Sequence, residues 1–93
     1  MAFDSDILVK GAAADATTTI NSIRSRLKGF IIGVEATDSG SVTFNDGGSA
    51  VFNVAVVGGT SDVAMNIPEQ GVLFKSNLNV TTVNCTCTVF YTG

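Results

Sequence analysis

Cys85 and Cys87, one threonine apart near the C-terminus, are the side chains whose type and spacing most invite a chemical reading. A C-x-C pair could ligate a soft metal, close a disulfide or supply a thiolate. From Val83 to Tyr91 the odd positions are Val, Cys, Cys, Val and Tyr, and the even ones Asn, Thr, Thr and Phe. That is the period of two of a strand with one dry face. On it the two thiols share a face with Cβ atoms roughly 6.5 to 7 Å apart, a spacing that disfavours a disulfide. A thiolate metal site needs further Cys or His ligands, and the sequence has two cysteines and no histidine. The pair therefore reads as two small hydrophobes of a core.

Carboxylates come next. Asp38, Asp46, Asp62 and Glu69 abut glycine, serine or proline in predicted turns, where a carboxylate accepts local backbone hydrogen bonds. Asp4-Ser5-Asp6 is similar to two ligands of a calcium loop, but it lacks that loop's glycine and its distal bidentate glutamate, so no metal is assigned. Without histidine, neither a Cys–His pair nor a Ser–His–Asp triad can be built. Gly47-Gly48 and Gly58-Gly59 are not followed by Lys-Ser/Thr or by a helical pattern, and read as turns rather than phosphate loops. No catalytic residue and no cofactor is expected, and an enzyme is the least expected class.

The cations are few. Net charge is −3 with a pI near 4.4, which argues against a general nucleic-acid binder. Arg24, Arg26 and Lys28 hold three of the five positive charges, and on extended chain they point to one side. Such a stripe either contacts an acidic partner surface or solvates an edge strand against unwanted pairing. No apolar run approaches the roughly 20 residues of a membrane span, and Met1 to Lys10 carries two aspartates where a secretory signal would be basic. Neither membrane insertion nor export by such a signal is expected, and the sequons Asn79-Val80-Thr81 and Asn84-Cys85-Thr86 read as chance matches.

The elements that must position these groups read as all-β. Ninety-three residues make one domain with a thin core. The chain is 45% hydrophobic but only 14% charged, against roughly 25% for an average soluble domain, which points to apolar surface buried against other subunits. Residues 1–19 read as an N-terminal arm (Met1 to Asp6), an edge strand (Ile7 to Lys10) and an alanine-rich connection. Residues 20–93 read as a β-sandwich. Thr17 to Lys28 is read as strand or extended chain, because its β-branched residues outweigh the helical spacing of Ile20, Ile23 and Leu27. Phe30, Ile32 and Val34 form one bulky face flanked by glycines. Asn45-Asp46-Gly47-Gly48 predicts a hairpin between Val42 to Phe44 and Ala50 to Val57. Phe52, Val54 and Val56 share one face of its second arm; the other, with Val51, Ala55 and Val57, is apolar too and reads as covered. Val63, Met65 and Ile67 alternate until Pro68 stops the ladder. Seven or eight short strands at such spacing predict an antiparallel β-sandwich or jelly-roll-like domain.

Taken in order, Leu27-Lys28-Gly29-Phe30-Ile31-Ile32-Gly33, Val42-Thr43-Phe44-Asn45-Asp46-Gly47-Gly48, Gly71-Val72-Leu73-Phe74, Leu78-Asn79-Val80 and Cys87-Thr88-Val89-Phe90-Tyr91 resemble segments of small virion proteins of tailed bacteriophages, particularly those of aquatic bacteria. The resemblance spans Leu27 to Gly93. It implies a non-enzymatic β-sandwich built into the particle as a capsid decoration (cement) protein, or as a small tail or fibre-associated component. No catalytic residue comes with such a family. The leading expectation is a homotrimer on the outer surface of the capsid, clamping neighbouring copies of the major capsid protein. Phe3, Ile7, Leu8 and Val9 are the expected arm anchors, and Arg24, Arg26 and Lys28 the polar contacts. The alternative from another class is a glycan-binding β-sandwich module, although no tryptophan is present and Tyr91 is the single tyrosine available to stack a sugar ring.

Overall fold

Alternation of apolar and polar residues, broken by Gly, Asn and Asp, leaves this chain two-faced strands that must stack in two layers to hide one face of each. The computed structural model describes residues 7–93, which form nine strands: β1 (Leu8–Ala12), β2 (Thr17–Asn21), β3 (Ser25–Val34), β4 (Gly40–Asp46), β5 (Ser49–Val56), β6 (Val63–Asn66), β7 (Val72–Phe74), β8 (Leu78–Val83) and β9 (Cys85–Thr92). Every pairing is antiparallel. One sheet, called A, runs β1-β9-β3-β6, with β7 also paired to β3; the other, called B, runs β2-β8-β4-β5.

The pairings nest. β4 pairs β5, β3 pairs β6 and β7, β2 pairs β8, and β1 pairs β9, as in one long ribbon folded back at the β4–β5 turn. Rolling that ribbon brings β9 against β3 and β8 against β4. The result is the eight-strand order of a jelly roll, with β7 as an added short strand.

Turn chemistry starts the ribbon. Asp46 pairs Ser49 across Gly47 and Gly48, whose φ values of 61° and 96° are those a two-residue hairpin with right-handed strand twist requires. Between the layers, Phe30 of sheet A meets Phe44 of sheet B at a centroid distance of 5.0 Å, and Phe44 stacks on Phe52 at 4.7 Å. Leu27, Ile32, Val42, Phe74, Leu78, Val80 and Val89 are also fully buried. Each such side chain contributes roughly 1.5 to 3 kcal/mol of transfer free energy.

Several sequence expectations change. The sandwich uses nine strands rather than seven or eight, and the expected boundary between residues 19 and 20 falls inside β2: β1 and β2 are members of the two sheets. The alanine-rich connection is anchored by a polar side chain from elsewhere, buried Thr82, whose hydroxyl donates to Ala13 O at 2.6 Å. Leu27 and Phe30 both point inward although three residues apart, because Lys28 is an extra residue opposite the Tyr91–Phe90 step of β9. The terminal strand does not begin at Val83. Asn84, with φ of 53°, breaks the run there: β8 ends in sheet B with Val83 exposed, and β9 starts in sheet A with Cys85 buried. Finally, Val51, Ala55 and Val57 are exposed rather than covered, because β5 is an edge strand.

Candidate functional site

The cysteines are where alternation puts them, in the core beside Ile32 and Val34, as free thiols. Desolvation pushes both up, Cys87 to about 12. Among the described residues no group of three or more His, Cys, Asp or Glu could hold a metal. Three carboxylates serve the backbone. Asp15 accepts from Asn84 N at 2.9 Å and Asp62 from Val34 N at 3.0 Å. Asp46 accepts from Lys75 N and Ser76 N, each at 2.9 Å, and these two amides, Ser76 first, hold its carboxyl below the usual range. It staples the tip of the β4–β5 hairpin to the segment before β8.

What remains is surface. Of the expected anchors, Phe3 lies outside the described residues. Ile7, Leu8 and Val9 are all exposed, at the start of edge strand β1. Leu8 is in register with Tyr91 of β9, which is in register with Leu27 of β3; one step along, Val9 faces Phe90, which faces Gly29. Two strand spacings, about 9.5 Å, therefore separate β1 from the basic end of β3. Arg24 is exposed in the bend before β3, and Arg26 pairs with Thr92 at the end of β9. The two groups picked out along the sequence thus lie at the same end of sheet A, two strands apart with β9 between them. Lys28 departs from the expected stripe: it sits at the bulge, and its ammonium donates to Glu69 O in the loop between β6 and β7.

Two residues of this end were missed in the sequence. Ile23, 62% exposed in the bend beside Arg24, was absorbed into an ambiguous helical spacing, and Phe90 was read only as the even face of a strand. With Val89 inside, Phe90 lies on the outer face of sheet A, where Val9 and Ile31 also emerge. The signal for Phe90 was available: it is the one large apolar residue on the even side of β9.

The outer face of sheet B has a different chemistry. Thr17, Thr81, Thr43 and Asn53 form one row across four strands, and Thr19, Asn79 and Asn45 the next. They bond to one another: Thr17 Oγ1 to Thr81 Oγ1 at 3.1 Å, Asn45 Nδ2 to Thr81 Oγ1 at 3.2 Å, and Asn53 Nδ2 to Thr43 Oγ1 at 2.8 Å. Asn79 Oδ1 is buried and has no hydrogen-bond partner among the described residues. These rows carry no charge and no aromatic side chain. In comparisons with protein families, curated proteins and solved structures, nothing matches the chain.

Proposed function

We propose that this chain is an adhesive structural protein of a phage virion, a capsid decoration protein that binds the major capsid protein shell from outside. A tail or fibre-associated position is the nearest variant. The observation that supports this reading is the composition of one end of the sandwich, where exposed Ile7, Leu8, Val9 and Ile23 stand beside Arg24 and Arg26. Apolar anchors flanked by arginine are what a protein interface uses, the apolar area for affinity at about 25 cal/mol per Å² and the guanidinium for bidentate contact with a partner carboxylate. Many copies on one particle turn a weak single contact into a durable one. The jelly roll is shared by capsid proteins, lectins and other domains, so it supports the reading only by analogy.

The test is sedimentation of empty shells with purified protein. Removing Met1 to Lys10 would take away three of the five residues of β1, so point variants are preferable. Ile23→Ser with Arg24→Glu should abolish co-sedimentation while far-UV circular dichroism stays β-type. Unchanged binding by that variant would overturn the assignment of this end. Protein stoichiometry of intact particles decides position: decoration requires copies comparable to the major capsid protein, and a tail part far fewer.

A second reading has its own support in the Thr/Asn rows of sheet B. Their uncharged donors and acceptors suit the hydroxyls of a glycan. Binding on a glycan array that Thr81→Val with Asn79→Ala removes would favour it over shell adhesion.

A further inference from the structure

A β-sheet edge leaves backbone N–H and C=O groups without partners, and proteins guard such edges with charge, proline, bulges or brevity. Three of the four flanks of this sandwich are guarded. β1 has five residues with Lys10 at its centre. β2 has five and a register shift between Thr19 and Asn21. The far side of β3 is covered by two short strands, β6 of four residues and β7 of three, with Pro68 between them.

The fourth is β5, and among the described residues nothing guards it. Ser49-Ala50-Val51-Phe52-Asn53-Val54-Ala55-Val56 runs eight residues without charge, proline or glycine. No charged residue occurs between Asp46 and Asp62. Its one irregularity, extra residue Val51, lies toward the hairpin tip and leaves Phe52 to Val56 in unbroken register with Phe44 to Gly40. The flank around it is apolar. Val57 is 64% exposed, and Met65 on β6, the sheet A edge of the same flank, is 51% exposed.

We propose that β5 pairs antiparallel with β5 of a second copy of this chain, about a two-fold axis at Asn53, joining the two B sheets into one. The strand fits itself. Two-fold pairing sets Val51 opposite Ala55 of the other copy and Phe52 opposite Val54, so apolar residues face apolar ones and no like charges meet. Asn53 meets its own counterpart, and a carboxamide is its own complement. Asn53 Nδ2 already donates to Thr43 Oγ1, which leaves its oxygen and second N–H for the partner. The absence of charge from β5 itself is the composition of an interface core rather than of a solvated rim. A foreign strand would need a matching charge-free sequence; a second copy carries one by construction.

The experiment is sedimentation velocity of the full chain from about 1 to about 100 μM, the range in which weak edge pairing crosses half-occupancy. The expected result is a shift from monomer to dimer. Asn53→Lys places two ammonium groups opposite each other and should weaken the dimer up to about fivefold, as should Asn53→Asp with two carboxylates. Mixing the two variants should restore a dimer of one copy of each, which a folding defect could not do. Amide hydrogen exchange should slow on dimer formation at those amides of Phe52 to Val56 that face away from β4, while the amides bonded to β4 are protected in monomer and dimer alike. A wild type that stays monomeric throughout, an oligomer indifferent to Asn53→Lys, or a mixture that does not pair would each overturn the proposal.

Discussion

The crossing from sheet B to sheet A rests on one residue, and the order of two substitutions there tests it. Asn84 has φ of 53°, its carboxamide donates to Ser39 O at 3.3 Å, and its N–H donates to Asp15 Oδ1 at 2.9 Å. Asn84→Ala and Asn84→Gly both lose the carboxamide bond, about 0.5 to 1.5 kcal/mol net, so that loss cancels between them. Alanine in the left-handed region costs about 1 to 2 kcal/mol, which glycine escapes. Glycine in turn costs about 0.4 to 1 kcal/mol through its freer unfolded chain. The difference leaves the alanine variant less stable by roughly 0.5 to 1 kcal/mol. Inside a continuous strand the order reverses, with glycine worse than alanine by about 0.5 to 1 kcal/mol. Urea unfolding resolves this, since a slope of about 1 to 3 kcal/mol per molar converts the gap into several tenths molar of midpoint. A glycine variant that unfolds at lower urea than the alanine variant would mean that Val83 to Tyr91 is one strand, and that the crossing lies elsewhere.

Three further outcomes follow from the interior and its turns. Phe44→Ala removes the ring between Phe30 and Phe52 at a fully buried site and should cost about 3 to 5 kcal/mol in urea unfolding, a large part of the roughly 5 to 14 kcal/mol expected of 93 residues; a loss under about 1 kcal/mol would contradict the packing. The lowered carboxyl of Asp46 stabilises the fold above its unfolded value near 3.9, and that contribution disappears as pH falls through the folded value. The urea midpoints of wild type and Asp46→Asn should therefore converge as pH falls from neutral through the unfolded value and then the lower folded one, and a constant gap would show that the carboxylate holds no amides. With Cys87 pushed up to about 12 and both thiols buried, neither should react with a thiol reagent in the native state near pH 8, and both should react in urea; rapid native labelling of Cys87 would place it outside the core.

Much of the fold is local, and that part was readable. Asn45 to Gly48 specify a hairpin by backbone chemistry alone, and Phe30, Ile32, Cys85 and Cys87 declare their face by period. What periodicity lacks is any record of which strand lies beside which, and the errors follow from that. Val51, Ala55 and Val57 looked covered because their composition is apolar; their exposure depends on β5 being last in its sheet, a property of strand order. The change of inward parity from Leu78, Val80 and Thr82 to Cys85, Cys87 and Val89 is in the sequence, but only a known crossing gives it meaning. The same holds at Lys28, where Leu27 and Phe30 break step. At the candidate site the residue types were legible, but the placing of Ile7 to Val9 at the same end as Arg24 and Arg26 was not, since it is made by a strand some sixty residues downstream.

Strand order also explains why the two proposed interfaces can coexist. In a jelly roll the first and last strands pair, so β1 and the end of β9 lie at one flank, while the central hairpin ends at the opposite one in β5. The first flank has Lys10, with Arg24 and Arg26 two strands in at the end of β3; on the second, β5 itself lies in a stretch with no charge between Asp46 and Asp62. A surface rich in cations rejects its own copy by repulsion, and a bare edge rejects nothing with strand geometry. The chemistry of the flanks therefore separates a partner unlike this chain from a partner identical to it. A two-fold pair made through β5 reverses strand direction between the copies, so their two basic-flanked ends point opposite ways and each binds on its own. Asn53→Lys should then weaken the β5 pair and leave shell binding unchanged, and salt should oppose binding at the arginines while leaving the β5 pair nearly unchanged. Salt dependence of both equilibria in the same preparation distinguishes the two interfaces: equal sensitivity would mean that one surface serves both.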